Sequence, residues 1–405
     1  MRVSTSQIFD AGTRNLIDGQ SALYKTQNQL STGRRVLTPD DDPVAAAQVL
    51  LTSQARDVNA MYADNQKNAS SQLALAEDRL KSVVDSIQFI QEEVVAGGNA
   101  SYSDAQRMYI AKSLQGQFDL LFGVANSLDA SGHYLFSGYQ GETQPFQQQN
   151  VAGTINVNYV GDDGQRLLQV SGSRQIAVND SGRDIFLRNS AGNGSFVTGA
   201  AAANTGTGIV DPGSVVTPQN WTGHNYTLTF TSATTFDVTD TTTSTTVATG
   251  VSYTSNTAIT SVPGVAFTIQ GAPAAGDTFS VQPSSERSLF NTLQDLITAF
   301  STPIQGNAVA GAAVRNTINA NMANLDQALT NVSRVQASIG SRMAEMQSLS
   351  GVAADQEVQY AKQISGLQDI DYAEAISRFM TQQMQLQAAQ QSFSKVSGMS
   401  LFNYL

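Results

Sequence analysis

The 405-residue chain contains no cysteine, one tryptophan and only two histidines, and each scarcity removes a class of chemistry. Without cysteine there is no disulfide framework, no thiolate nucleophile and no cysteine-based zinc site, so redox chemistry has no part in holding the chain together. His133 and His224 are too few and too far apart for a His-Glu-x-x-His metal pair, and enzymes lose their commonest general base with them. Charged residues make up 14% and aromatics 7% of the chain. No stretch approaches the roughly 18 apolar residues of a membrane span. The opening Met1-Arg2-Val3-Ser4-Thr5-Ser6-Gln7 lacks the apolar centre of a cleavable signal peptide, so a soluble chain that keeps its N-terminus is expected. With 33 acidic against 22 basic residues the net charge is -11, which repels a phosphate backbone. Neither nucleic acid nor membrane is an expected partner.

What remains is 41% hydrophobic and visibly rich in Gln, Asn, Ser, Thr and Ala, a composition suited to long helical seams of small residues and to polar β-surfaces. The length exceeds what one core usually serves, so two or three domains are expected. Phe9, Leu16, Leu23, Leu30 and Leu37 recur every seven residues, with Ile17 and Tyr24 widening the stripe, which is a coiled-coil seam. Gly33 and the run Leu37-Thr38-Pro39-Asp40-Asp41-Asp42-Pro43 break it, and Asp42 before Pro43 reads as the cap and first residue of a second helix. That helix should run to about Val95, with Leu73, Ala76, Leu80, Val83, Ile87, Ile90 and Val94 alternating by three and four. A third, from about Ser103, carries Ala111, Leu114, Phe118, Leu121, Ala125 and Leu128, so the two can pair antiparallel across the Gly97 to Tyr102 turn.

After Gly132 the period becomes two, at Ile155, Val157 and Tyr159, at Leu168 and Val170, and at Ile176 and Val178, with Gly161-Asp162-Asp163-Gly164 as a turn. Residues 192–213 are mostly Gly, Ala, Ser, Thr and Asn and read as a linker. From Trp221 to Val281 a Thr-rich stretch alternates again, which predicts a small antiparallel β-domain. Helix returns near Glu286. Ile318, Leu325, Val332, Ile339 and Met346 then repeat every seven residues, with the polar Asn321 and Arg342 in the seam to fix register. A looser stretch is expected around Gly351 and Gly366. The last segment resumes the interval at Tyr372, Phe379, Leu386 and Phe393, beside Ile376 and Met380.

The expected fold is therefore mainly α with a β-rich insertion: long coiled-coil-like helices from both termini and a small antiparallel β-domain in the middle. The expected domains are a terminal coiled-coil domain of residues 1–42 and 366–405, a helical bundle with short strands of 43–190 and 286–365, and a linker with an outer β-domain over 191–285. A terminal stripe of about 30 residues, roughly 45 Å long, is marginal as a lone helix in water. It needs partners, which the other terminus and neighbouring copies can supply. The expected assembly interface is Phe9, Leu16, Leu23, Leu30, Leu37, Tyr372, Ile376, Phe379, Leu386 and Phe393.

Other motifs have plainer readings. Asp40-Asp41-Asp42 lacks the ligand spacing of a calcium loop and suits a helix cap. Asp162-Asp163 suits a turn, with ion binding as its alternative. Neither Ser137 before Gly138 nor Ser195 after Gly194 completes a nucleophile elbow, and Gly192-Asn193-Gly194 is only a fragment of a phosphate loop. No catalytic, metal or cofactor site is expected. Trp221 and Tyr226 fit a β-core, or alternatively an adhesin-like face.

Both ends also resemble a known family. Gln29-Leu30-Ser31-Thr32-Gly33-Arg34-Arg35-Val36 followed by Asp41-Asp42-Pro43 is similar to the flagellin N-terminal pattern. Ile370-Asp371-Tyr372-Ala373-Glu374-Ala375, with the close Ser400-Leu401-Phe402-Asn403-Tyr404-Leu405, is similar to its C-terminal pattern. Within the family, His133-Tyr134-Leu135-Phe136-Ser137-Gly138-Tyr139 leading to Thr143-Gln144-Pro145-Phe146, and Tyr159-Val160-Gly161-Asp162-Asp163-Gly164, look like the junction subunits, a pair that flagellin proper usually lacks. The resemblance covers roughly residues 1–190 and 286–405. It implies an inner tube of paired terminal helices, a helical middle layer and an outer β-domain. It also implies a secreted, extracellular subunit at the hook–filament junction, exported unfolded through the flagellar type III pathway with a chaperone that engages the C-terminal region. The implied partners are further copies in a ring or tube, the first hook-associated protein, and flagellin. The alternatives are a flagellin-like filament subunit or an adhesin module on that scaffold.

Overall fold

Glycine, proline and capping side chains set the helix ends in this protein, whose structure, a computed structural model, describes residues 5–98, 102–151 and 154–398. The helices are α1 (Thr5–Thr32), α2 (Pro43–Gly97), α3 (Asp104–Ala125), α4 (Gly182–Phe186), α5 (Leu289–Ser301), α6 (Ala308–Gln368) and α7 (Tyr372–Gly398). Gly33, at φ +72°, ends α1, because a residue without Cβ closes a helix in the left-handed conformation at little cost. Asp42 caps α2, its Oδ1 accepting the Ala45 N–H at 3.0 Å with Pro43 as first helical residue. A capping box of Ser103 and Gln106 opens α3.

The chain forms two compact units, residues 1–65 with 348–405 and residues 66–347. In the first, α1 packs on α7, and the early turns of α2 lie beside the last turns of α6, where buried Asn59 donates Nδ2 to Ala353 O at 2.8 Å. In the second, the predicted seams are buried. Leu73, Leu80, Val83, Ile87, Ile90 and Val94 of α2 are fully covered, as are Leu114, Phe118, Leu121 and Ala125 of α3 and Leu325, Val332 and Ile339 of α6. Each such side chain contributes about 1.5–3 kcal/mol through burial. Ser86 Oγ donates to Gln117 Oε1 at 2.7 Å, which sets α2 against α3. Helix α5 adds Leu289, Phe290, Leu293, Leu296 and Phe300, and its Phe290 meets Phe118, Phe146 and Phe186 at ring-centroid distances of 5.6–5.8 Å.

Strands β1 (Phe146–Val151) and β2 (Thr154–Tyr159) form a hairpin, and β3 (Leu167–Ser171) and β4 (Arg174–Ala177) a second. The turn after β2 interlocks with the segment before β1: Asp162 Oδ1 accepts the N–H groups of Tyr139 (3.0 Å) and Gly164 (2.7 Å), and the Tyr159 hydroxyl lies 3.0 Å from Phe136 O. A Cβ on Gly138, at φ +74°, would fall 2.2 Å from Asp162 Oδ1, so the two motifs that look like junction subunits form one knot. Asp163 sits there in ion pairs with Arg183 and Arg188. In the α6 seam, Arg342 reaches Ala177 O and Asp180, joining the helix to the end of β4.

The remaining strands are β5 (Asn189–Ser190), β6 (Phe196–Ala200), β7 (Ile209–Val210), β8 (Ser214–Val215), β9 (Tyr226–Ser232), β10 (Thr235–Asp240), β11 (Thr245–Ser252), β12 (Ala258–Ile259), β13 (Val265–Gln270), β14 (Thr278–Pro283) and β15 (Glu286–Arg287). A five-stranded antiparallel sheet runs β11-β10-β9-β14-β6; β13 pairs β12, β7 and β8. Together they enclose a core of Phe196, Tyr226, Phe230, Phe236, Phe267 and Phe279 with aliphatic neighbours. Trp221 packs half-buried on Phe196 and Tyr226, and Tyr226 is 2% exposed, so both rings serve the core and not an open face.

Three local expectations give way. Residues 192–213, expected as a linker, hold β6 and β7. Order there comes from both apolar anchors and hydrogen bonds: Phe196 and Val210 enter the β-core, and buried Asp277 accepts the N–H groups of Thr205, Gly206 and Ala274 at 2.8–3.0 Å. The looser stretch around Gly351 and Gly366 is uninterrupted α6, since a lone glycine costs about 1 kcal/mol in a helix and no proline lies near. Leu128 falls beyond α3, which ends at Ala125, and is 46% exposed. The Ser400–Leu405 motif, Met1–Ser4 and part of the Gly97–Tyr102 turn lie outside the described residues.

Candidate assembly interface

The terminal stripes meet each other within one chain. Helices α1 and α7 run antiparallel, as four contacts show. Phe9 stands edge-on to Phe393 with centroids 5.5 Å apart. A Cβ on Gly19 would lie 3.4 Å from Leu386 Cδ1. Thr26 Oγ1 donates to Gln382 Oε1 at 2.7 Å, and the Tyr372 hydroxyl lies 2.9 Å from where a Gly33 Cβ would be. Of the predicted residues, Phe9, Leu16, Leu23, Leu30, Phe379, Leu386 and Phe393 are half-buried along this line. Leu37 keeps the seven-residue spacing but lies beyond the end of α1, because Gly33 has already turned the chain. Ile376 faces solvent at 48% exposure, and Tyr372 reaches Gly33 with its hydroxyl but is 54% exposed.

The heptad reading passed over the second row of the seam. Gly12, Gly19, Thr26 and Gly33 also recur every seven residues and alternate with the large residues of α1. A Cβ on Gly12 would come within 2.8 Å of Phe393 Cδ2, so glycine there admits the ring. On α7 the matching small positions are Ala375, 2% exposed, and Ala389. The signal was present as glycine at a constant interval, but glycine counts against helix in a propensity reading.

At the end of this pair the two chain crossings, α1 to α2 and α6 to α7, are tied together. Arg35 N–H donates to Gln368 O (2.7 Å), Ile370 N–H to Gly33 O (2.9 Å), and the Arg35 guanidinium to Leu367 O (2.9 Å) and Asp42 Oδ2 (3.0 Å). Gln29, 6% exposed, donates Nε2 to Arg35 O. Asp41 accepts from the Leu37 and Thr38 N–H groups and pairs with Lys25. The Lys25 ammonium and the Thr38 N–H pull its carboxyl down to about 2. The Ala45 N–H, followed by the Arg35 guanidinium, lowers that of Asp42 as well. Asp42 thus serves as a cap and Asp41 as a clasp.

Pairing leaves a second row bare. Ile17 (58%) and Tyr24 (66%) on α1, and Met380 (58%) and Met384 (70%) on α7 beyond Ile376, are large, apolar and exposed. The flanks of α2 and α6 in the same unit add Leu50, Leu51, Met61, Val352 and Val358. No described helix is long and apolar enough to cross a membrane.

Comparison with known proteins agrees with this geometry. Residues 3–141 match the bacterial flagellin N-terminal helical region and residues 322–405 the bacterial flagellin C-terminal helical region. The chain is 29% identical over 402 residues to the flagellar hook-associated protein 3 of Salmonella typhimurium, covering 99% of each. Among solved structures, the flagellar junction protein FlgL of Legionella pneumophila is similar at 31% identity and TM-score 0.72, covering 80% of this chain and 100% of that one. Xanthomonas campestris FlgL is similar at 30% identity and TM-score 0.72, covering 78% and 99%. With its paired terminal helices, its central β-module and a likeness that runs from end to end, the chain belongs to the flagellar hook-associated protein 3 (FlgL) family.

Proposed function

We propose that the chain is a non-catalytic structural subunit of the bacterial flagellum that forms the layer between hook and filament. The observation that supports this most is the bare second row on the terminal helices: Ile17, Tyr24, Ile376, Met380 and Met384 stay exposed after α1 and α7 have paired. The inner row, Leu23 and Phe393 among it, shapes the subunit, and the outer row joins it to further copies in a ring or tube. The first hook-associated protein on one side and flagellin on the other complete the assembly, outside the cell. An export chaperone holds the chain on its way there.

The test is deletion of the gene followed by complementation. Hooks without filaments, with flagellin released into the medium, support the junction. Hooks without filaments and without released flagellin would point to a filament subunit instead. Complementation with Leu23→Asp should fail before subunits assemble, because the pair itself is lost. Met380→Asp with Met384→Asp should leave an intact, exported monomer that builds no junction. Normal filaments from the second variant would overturn the assignment of the outer row.

A further inference from the structure

The β-module closes its core without help from the helices: the buried cluster draws only on residues 196–281. Its covalent attachment is the narrow ribbon of β5 and β15, extended by Ala191 N–H to Ser285 O and Ser284 N–H to Ser195 O. Two strands by themselves are only marginally stable in water, so the neck alone does not fix the module's orientation. Beneath the sheet, an open cleft of about 700 Å³ separates β6 and β14 from α6, lined by such residues as Gly199, Gln282, Ala313 and Ala320. Across the cleft itself the module and α6 stand apart.

What seats it is a row of asparagines on α6 that bonds to main-chain atoms. Asn316 accepts the Val210 N–H at 2.8 Å and donates to Gly208 O at 2.9 Å, as a neighbouring strand would to the free edge of β7. Asn319 donates to Val210 O at 3.2 Å. Asn324 accepts the Gly192 N–H at 2.7 Å and is oriented by its own bond to Asn321, which is 3% exposed. Asparagine is a poor helix former, and a covered amide is costly unless bonded, so this cluster in the interior of α6 is explained by what it holds.

We propose that this row is a latch: it fixes the β-module on α6 by recognising main chain alone, and when released the module swings on the β5–β15 neck. Because side chains of the module take no part in these bonds, a different β-insert would dock as well, provided its rim presents the same free groups at positions 192, 208 and 210.

Trp221, the only tryptophan, lies inside the module and reports on it in the full chain. In Asn316→Ala with Asn319→Ala, alanine favours the helix, so α6 is retained while the bonds to Gly208 and Val210 are lost. Time-resolved anisotropy of Trp221 should pass amplitude from the overall tumbling component to a faster, nanosecond component. Its emission maximum should not move. Unchanged anisotropy would overturn the latch. A red-shifted emission would overturn it as well, by showing that the row is needed for the module's fold and not for its orientation.

Discussion

Substituting the two seam glycines by alanine separates packing from helix propensity. Alanine in place of glycine in a helix interior is favourable by about 0.5–1 kcal/mol. At Gly19 the new Cβ would stand 3.4 Å from Leu386 Cδ1, an ordinary contact, so the gain is kept. Gly19→Ala should therefore raise amide protection across α1 and α7 about two- to fivefold. At Gly12 the Cβ would stand 2.8 Å from Phe393 Cδ2 and 3.0 Å from Cε2, too close for the ring to keep its edge-on place against Phe9. Overpacking of this kind costs about 1–3 kcal/mol, more than the propensity gain, so Gly12→Ala should lower the same protection by about fivefold. The assay is hydrogen exchange by mass spectrometry on peptides within residues 10–30 and 376–396 of the full chain. Adding Phe393→Leu to Gly12→Ala should recover part of the loss, since the coupled pair is then relieved. If Gly12→Ala is protected as strongly as Gly19→Ala, Phe393 is not seated on Gly12 and the register of the pair is wrong.

Two further outcomes follow from the same unit. The folded value of Asp41, about 2, is below its ordinary 3.8, so its contacts add stability above about pH 4 and lose it as pH falls through 2; protection of the Leu37 and Thr38 amides should fall across that window in the wild type and not in Asp41→Asn, and matching profiles would refute the clasp. In a verified monomer, amides of residues 5–32 and 372–398 should exchange well before those of 73–94 and 318–346, because the terminal seam is half-buried whereas the central one is fully covered; equal protection would mean that the pair needs no neighbours.

Elements with a long, regular period were legible from residue order alone. The seams at Leu73–Val94 and Ile318–Met346 are buried as the three-four alternation predicted, because burial against other helices is the same demand that produces the alternation. Where order rests on polar bonds, composition misled. Residues 192–213 carry few apolar residues, yet Phe196 and Val210 enter the β-core while Asp277, Asn193 and the α6 asparagines hold the main chain between them. No periodicity announces such bonds, since each depends on a partner far along the chain. Of the interface, the large residues were legible and their division was not: Leu23 and Tyr24 are neighbours in sequence, and only the antiparallel pairing shows that one faces α7 and the other solvent.

That division has a physical cause. A helix packed against a single partner can bury one stripe, about a third of its circumference, whatever apolar residues it carries elsewhere. Helix α1 spends its stripe on α7, and glycines at 12 and 19 let the two approach closely enough for Phe393 and Leu386 to settle between them. The remaining apolar residues on these two helices are left exposed. On the proposed reading, Met380 and Met384 suit contacts with more than one neighbour, because they are unbranched and adapt to different surfaces. Exposed rows of this kind would be a liability in a subunit meant to remain alone. In one meant to be covered on all sides they allow shape to be fixed by the inner row first and contact by the outer row afterwards, so that the two properties can fail separately.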